Sequence, residues 1–172
     1  AFIPEDNAVQ KSKIEKIDYS VMRDNGYVYF CGDKVINYGF VENFVIQLEN
    51  EYGVKIKRIG YDRYNCISSA NKWYEAGFNT VEIKQHSSIL HPATKLVKER
   101  VLKQSFKYVK NQLLEINFSN AREVKDTNLN TYVNKKKSIG KIDMVVSILN
   151  AMVLWNQEVE QGYTSVYEER GI

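Results

Sequence analysis

At 172 residues, 44% hydrophobic and 26% charged, the chain is long enough for one domain with its own core and has the make-up of an ordinary globular protein. Two prolines and nine glycines exclude collagen-like and linker-rich classes, and no apolar run reaches the roughly 18 residues that a membrane span needs. The net charge of +3 conceals an asymmetry: residues 91–142 carry 12 Lys/Arg against 4 Asp/Glu, while the segments on either side are mildly acidic.

A basic third of this kind suits a polyanion partner, and equally a solvated lysine face. Cys31 and Cys66 have no CxxC spacing and read as reduced core thiols. No charged n-region followed by an apolar stretch marks a signal peptide. An intracellular protein without a membrane partner is the expectation.

Taken in order, Ala1-Phe2-Ile3-Pro4-Glu5 reads as the exit from a strand. Val9, Ile14, Ile17 and Val21 recur at helical intervals, which predicts an amphipathic helix over 7–24. Asp24-Asn25-Gly26 is a turn, and Tyr27 to Cys31 a short strand. Residues 37–52 predict a surface helix with a stripe of Phe40, Val41, Phe44, Val45, Leu48 and Tyr52, stopped by Gly53. Val54 to Gly60 is a strand, Ser68 to Ala76 a helix, and Thr80 to Lys84 a second alternating strand. This order predicts βαβ units with parallel pairing, and ligands gather at the carboxyl ends of such strands.

Pro92 is expected to open a helix running to about Val109, because proline is tolerated in a first turn. Leu113 to Phe118 reads as a strand or extended edge. Asp126 to Asn130 is a turn, with Tyr132 to Lys137 as the second arm of a hairpin. Met144 to Trp155 is almost continuously apolar, which predicts a helix buried on all sides. The chain becomes polar after it, and 163–172 is expected to be a loose tail.

Two carboxylates stand at positions that suit chemistry. Asp62 follows a predicted strand and precedes a helix. It reads either as a turn or cap residue or as a ligand projecting from the sheet edge. Asp143 heads the apolar helix, where it is either an N-cap or a rigidly mounted metal ligand. Hard oxygen donors of this type suit Mg²⁺ or Mn²⁺. Two such ions close together can serve phosphodiester cleavage. His86 and His91 have no third soft ligand near them in sequence, which argues against zinc. Cys66 as a thiol nucleophile is disfavoured by its place on an apolar helix face. No phosphate-binding glycine loop occurs. Lys135, Lys136 and Lys137 are either a solvated run or phosphate contacts.

Ile59-Gly60-Tyr61-Asp62-Arg63-Tyr64-Asn65, the Gln85 segment leading to Pro92, Asn117-Phe118-Ser119-Asn120, and Lys136 to Lys141 with Ile142-Asp143 occur in a specific order and spacing. In this the chain resembles the C-terminal nuclease domain of the large subunit of tailed-bacteriophage terminases. Phe2-Ile3-Pro4-Glu5 resembles the segment after that family's third strand. The resemblance covers about residues 1–157 as one partial nuclease-like domain, with 158–172 as a polar C-terminal tail.

The resemblance implies a ribonuclease H-like α/β fold, a mixed central sheet flanked by helices. It implies metal-dependent cutting of concatemeric double-stranded DNA during packaging, with Mg²⁺ or Mn²⁺ in a two-metal site. Asp62 and Asp143 would be two of the acidic ligands, and Lys135, Lys136, Lys137 and Lys141 would face DNA. The terminase small subunit and the portal are the implied partners, in the bacterial host cytoplasm. The family's other acidic ligand lies on its first strand, in an Asp-Leu-Ser-like segment that does not occur here, and neither does the phosphate loop of its ATPase. Weak or absent nuclease activity is therefore expected of this chain. The alternatives are a non-catalytic DNA-binding or assembly module, and a structural fragment whose open sheet edge pairs with a second copy.

Overall fold

The computed structural model describes residues 1–162. Strand β1 (Phe2–Ile3) pairs in parallel with β2 (Tyr29–Phe30). Between them the single helix expected over 7–24 is two, α1 (Ala8–Glu15) and α2 (Tyr19–Asp24). The break lies at Lys16, whose φ of 55° is left-handed and ends a helix. Asp18 starts the next one, its Oδ1 accepting from the Ser20 and Val21 N–H groups at 3.0 and 3.2 Å. The chain thereby buries Ile17, Tyr19 and Met22 against Ile3, Ala8, Val28 and Leu113.

Helix α3 (Tyr38–Tyr52) begins at Asn37, whose Oδ1 accepts from Phe40 N–H at 3.2 Å, and ends at Gly53 with φ 61°. Its apolar stripe is only half covered. Phe40 and Phe44 join Phe2 and Tyr29 in a cluster of rings 5.0–6.3 Å apart. The one fully buried residue of α3 is Glu42.

Strand β3 (Ile59–Tyr61) and β4 (Thr80–Glu82) pair in parallel, with Gly60 opposite Val81, and α4 (Ile67–Glu75) crosses between them. This is the expected βαβ unit, with its first strand shorter than the pattern from Val54 suggests. Glu42 fastens α4 to α3. Its carboxylate accepts from Ser69 Oγ and Lys72 Nζ, both at 2.7 Å, and its carbonyl accepts from Trp73 Nε1 at 3.2 Å. The Lys72 ammonium, followed by the Ser69 hydroxyl, holds the Glu42 carboxyl below its usual range in spite of burial.

Helix α5 (Ser87–Leu102) starts a turn before the proline expected to open it, with His86 Nδ1 accepting from Ser88 N–H at 3.3 Å. Pro92 therefore lies inside the helix. The helix also stops at Leu102 rather than Val109, because the chain folds back so that Ser105 and Phe106 N–H donate to Arg100 O at 2.9 and 3.1 Å.

The segment expected as a strand over 113–118 is helix α6 (Gln112–Asn120). Asn111 caps it, accepting from Leu114 N–H at 3.0 Å. Leu113, Leu114 and Asn117 then fall on one buried face. A short apolar run fits strand and helix alike, and here the cap and the packing settle the matter. Strands β5 (Glu123–Lys125) and β6 (Thr131–Val133) form the expected antiparallel hairpin. Its second arm ends before Asn134, whose Oδ1 gathers the Lys136 and Lys137 N–H groups into a turn.

Helix α7 (Asp143–Gly162) runs past Trp155. Ile142, Val145, Leu149, Val153 and Leu154 form the main core with Leu90, Ala93 and Val97 of α5 and with Ile83. The helix is not buried all round: Asp143, Ser147, Ala151 and Trp155, four apart, form an exposed row. The architecture is mixed α/β, as expected. A single central sheet is not what forms among the described residues, however. Their strands of two or three residues make three separate two-stranded pairs. The expected tail over 163–172 lies outside the described residues.

Candidate metal centre

Asp62 leaves the carboxyl end of β3. Its Oδ1 accepts from Tyr64 N–H at 3.1 Å, an Asx turn that steers the chain through Asn65 (φ 60°) into α4. The turn role is thus real, and it orients the carboxylate at the same time. Cys66, on the next turn, has its thiol pushed up by burial and then by the Asp62 and Glu42 carboxylates. A thiol held protonated is no nucleophile.

β3 and the residues just before it pack on α7. Lys57 Nζ meets Glu158 Oε1 at 2.7 Å, and Arg58 Nη2 meets Leu154 O at 2.9 Å and Glu158 Oε2 at 3.3 Å. Gly60 is packed so closely that a Cβ would lie 3.0 Å from Leu154 Cδ1. Lys57, Arg58 and Gly60 thus all meet the C-terminal half of α7, at Leu154 and Glu158. Gln85, just past β4, reaches the same helix, its Nε2 donating to Asn150 Oδ1 at 3.1 Å. Ser147 lines both a cleft of about 330 Å³ beside Gly60 and a larger one of about 710 Å³ that reaches Asp143.

Asp143 is the first residue of α7 but does not cap it. Ile142 holds the cap position, its carbonyl accepting from Val146 N–H at 3.0 Å. The orphan N–H of Met144 is taken by Asn117 Oδ1 of α6, at 3.2 Å. The Asp143 carboxylate is thus released from capping. It is largely exposed, it sits at the positive end of a long helix, and it pairs with the Lys135 ammonium. Nearby, Tyr19 donates to Glu15 Oε2 at 2.5 Å. Its phenol is pushed far up, first by burial, then by Glu15, with a contribution from Asp143.

The basic residues divide. Lys135 is committed to Asp143, whereas Lys136, Lys137 and Lys141 stand exposed on the loop between β6 and α7. That loop is stitched to the end of α6. Ser138 Oγ accepts from Arg122 N–H at 3.1 Å, Asn120 O accepts from Ile139 N–H at 3.2 Å, and Asn120 Nδ2 donates to Lys141 O at 3.1 Å. Asn117 and Asn120 belong to one of the motifs that carry the family resemblance, but nothing in the sequence announces the bonds they make across to the start of α7. Both histidines are occupied by structure, His86 at the α5 cap and His91 on the backbone of Thr131.

Asp62 and Asp143 offer the hard oxygens that a divalent ion prefers. The Lys135 ammonium on Asp143 shows that a cation is accommodated there. Among the described residues no group of three or more His, Cys, Asp or Glu side chains suited to a metal occurs.

No helix of the described residues is long and apolar enough to cross a membrane. A family model described as the endonuclease domain of the terminase large subunit matches residues 1–160. Among solved structures, the large terminase of bacteriophage HK97 is similar in fold, with a TM-score of 0.80 at 19% identity over 89% of this chain. The chain spans 32% of that terminase's length. No curated protein matches it. With a match across nearly its whole length, the chain belongs to the family of terminase large-subunit endonuclease domains.

Proposed function

We propose that this domain is a metal-dependent endonuclease that cuts concatemeric double-stranded DNA during packaging of a bacteriophage genome. We read its α/β architecture as ribonuclease H-like, with Asp62 and Asp143 as two ligands for Mg²⁺ or Mn²⁺. The observation that carries the reading is the release of Asp143: a carboxylate at a helix start would ordinarily cap it, and here Asn117 does so instead. Asp62 and Asp143 would each hold a divalent ion through a carboxylate oxygen, and the chemistry such ions would supply is activation of water and stabilisation of a leaving oxygen. The chain's own residues hold and orient. The Asx turn at Tyr64 aims Asp62, the start of α7 presents Asp143, and Lys136, Lys137 and Lys141 hold the phosphate backbone. Work beside a terminase small subunit and portal, in the host cytoplasm, belongs to the same reading.

A second reading is a non-catalytic DNA-binding or assembly module. The absence of a third acidic ligand among the described residues favours it. Plasmid nicking with Mn²⁺ separates the two. The nuclease reading expects nicks that Asp62→Asn and Asp143→Asn each abolish. DNA binding that weakens with salt, without nicking and indifferent to both substitutions, would leave the binding module.

A further inference from the structure

Two asparagines of α6 that no chemistry claims hold the backbone on either side of Asp143 in sequence. Asn117 is 3% exposed. Its Nδ2 donates to Leu113 O at 2.9 Å within α6, and this fixes its amide so that Oδ1 faces the Met144 N–H. A buried polar side chain persists where its bonds are made, and this one spends its acceptor on the residue after Asp143. One helical turn further on, Asn120 holds the other side, its Nδ2 on the carbonyl of Lys141, two residues before Asp143. Gly140 lets that amide come close: a Cβ there would lie 2.6 Å from Asn120 Nδ2 and 2.9 Å from its Cγ.

Asp143 is therefore held by its neighbours at 141 and 144, both tied to one rigid helix. Its own side chain makes none of these bonds. From this geometry we infer that Asn117 and Asn120 are positioning residues that fix the Asp143 carboxylate. The inference rests on the reading of Asp143 as a metal ligand, and it says what keeps that ligand in place. Neither asparagine touches DNA or metal in this role.

The test compares the 172-residue chain with Asn117→Leu, which keeps the branched shape and removes both bonds, and Asn120→Ala, a partly exposed site at which folding is little threatened. Val153→Ala serves as a control that lowers Tm through the α7 core alone. Two NMR readouts are taken. Without metal, the Asp143 carboxyl carbon reports its pairing with Lys135. With sub-stoichiometric Mn²⁺, line broadening is compared around Asp62 and around Asp143. The expected result is that both asparagine variants move the Asp143 carbon resonance and weaken the broadening at 61–63 and 142–145 together, roughly tenfold in apparent Mn²⁺ affinity. The control should lower Tm and change neither readout. If both asparagine variants keep the wild-type carbon resonance and the wild-type broadening pattern, the inference is overturned, whatever their Tm. If Mn²⁺ broadens neither aspartate in the wild-type chain, the metal reading fails, and the carbon resonance alone then decides whether the asparagines fix Asp143.

Discussion

The Lys135 ammonium donates to Oδ1 of Asp143, across eight residues of loop. One positive charge thus rests on a carboxylate that a divalent ion would also claim. Metal and lysine compete for the same oxygen. Lys135→Ala should raise Mn²⁺ affinity roughly two- to fivefold, the range that a single exposed ion pair commands. Isothermal titration of the two proteins checks this, and an unchanged or weaker affinity would show that no competition exists.

DNA binding should separate this lysine from its neighbours. The slope of log affinity against log salt shrinks by about 0.9 for every phosphate that is no longer neutralised. Lys136→Ala, Lys137→Ala and Lys141→Ala should each flatten the slope. Lys135→Ala should leave it nearly unchanged in metal-free protein, because its charge is already spent on Asp143. Fluorescence anisotropy over a salt series gives the slopes. Equal effects from all four would mean that the Asp143 pairing does not persist when DNA is bound.

Asp126 supplies a pH dependence. Its carboxylate accepts from Ser87 Oγ at 2.6 Å, from Asn130 Nδ2 at 3.0 Å, and from the N–H groups of Asn128 and Asn130, which tie the hairpin turn to the start of α5. Led by the Ser87 hydroxyl and then by Asn130, these bonds bring its pKa from 3.8 to about 2. A depressed carboxylate contributes stability above its unfolded pKa and loses it as pH falls through the folded one. The contribution should be complete above about pH 4 and fade toward pH 2. Urea midpoints measured between about pH 5 and pH 2.5 should fall less steeply in Asp126→Asn than in wild type. Parallel curves would deny the latch.

Gly60 is fixed by contact rather than by φ. An added methyl would lie 3.0 Å from Leu154 Cδ1 and 3.2 Å from Ile83 Cγ1, both in the main core. Gly60→Ala should cost about 1–3 kcal/mol, the usual penalty of overpacking, read as a lower urea midpoint. It should also shift β3 away from α7 and so weaken Mn²⁺ binding at Asp62. A variant as stable as wild type would show that Leu154 moves aside freely.

Much of the fold is legible in the chain. The alternation around Ile59 and Val81, with glycine stops between, announces a parallel βαβ unit, and the hairpin around Asp126 is equally plain. The errors have separate local causes. Leu113 to Phe118 satisfies both periodicities, and the helix over 7–24 is broken by a left-handed residue at Lys16 that its pattern does not foreshadow. α5 begins before Pro92 because a histidine, not the proline, caps it.

The candidate site divides along the same line. Asp62 and Asp143 stand out from their places beside predicted elements and from the order of the motifs around them, because strand ends, helix starts and charge runs are written in adjacent residues. Asn117, Asn120 and Lys135 lie in a motif and a lysine run that the sequence singles out, but the bonds they make are not written there. Their roles depend on partners 27, 21 and 8 positions away, chosen by packing. Whether a carboxylate at a helix start caps that helix or is left for other work turns on which acceptor reaches the orphan N–H first. Here α6, packed against α7, delivers Asn117 to Met144, and that contact between distant segments is what leaves Asp143 available.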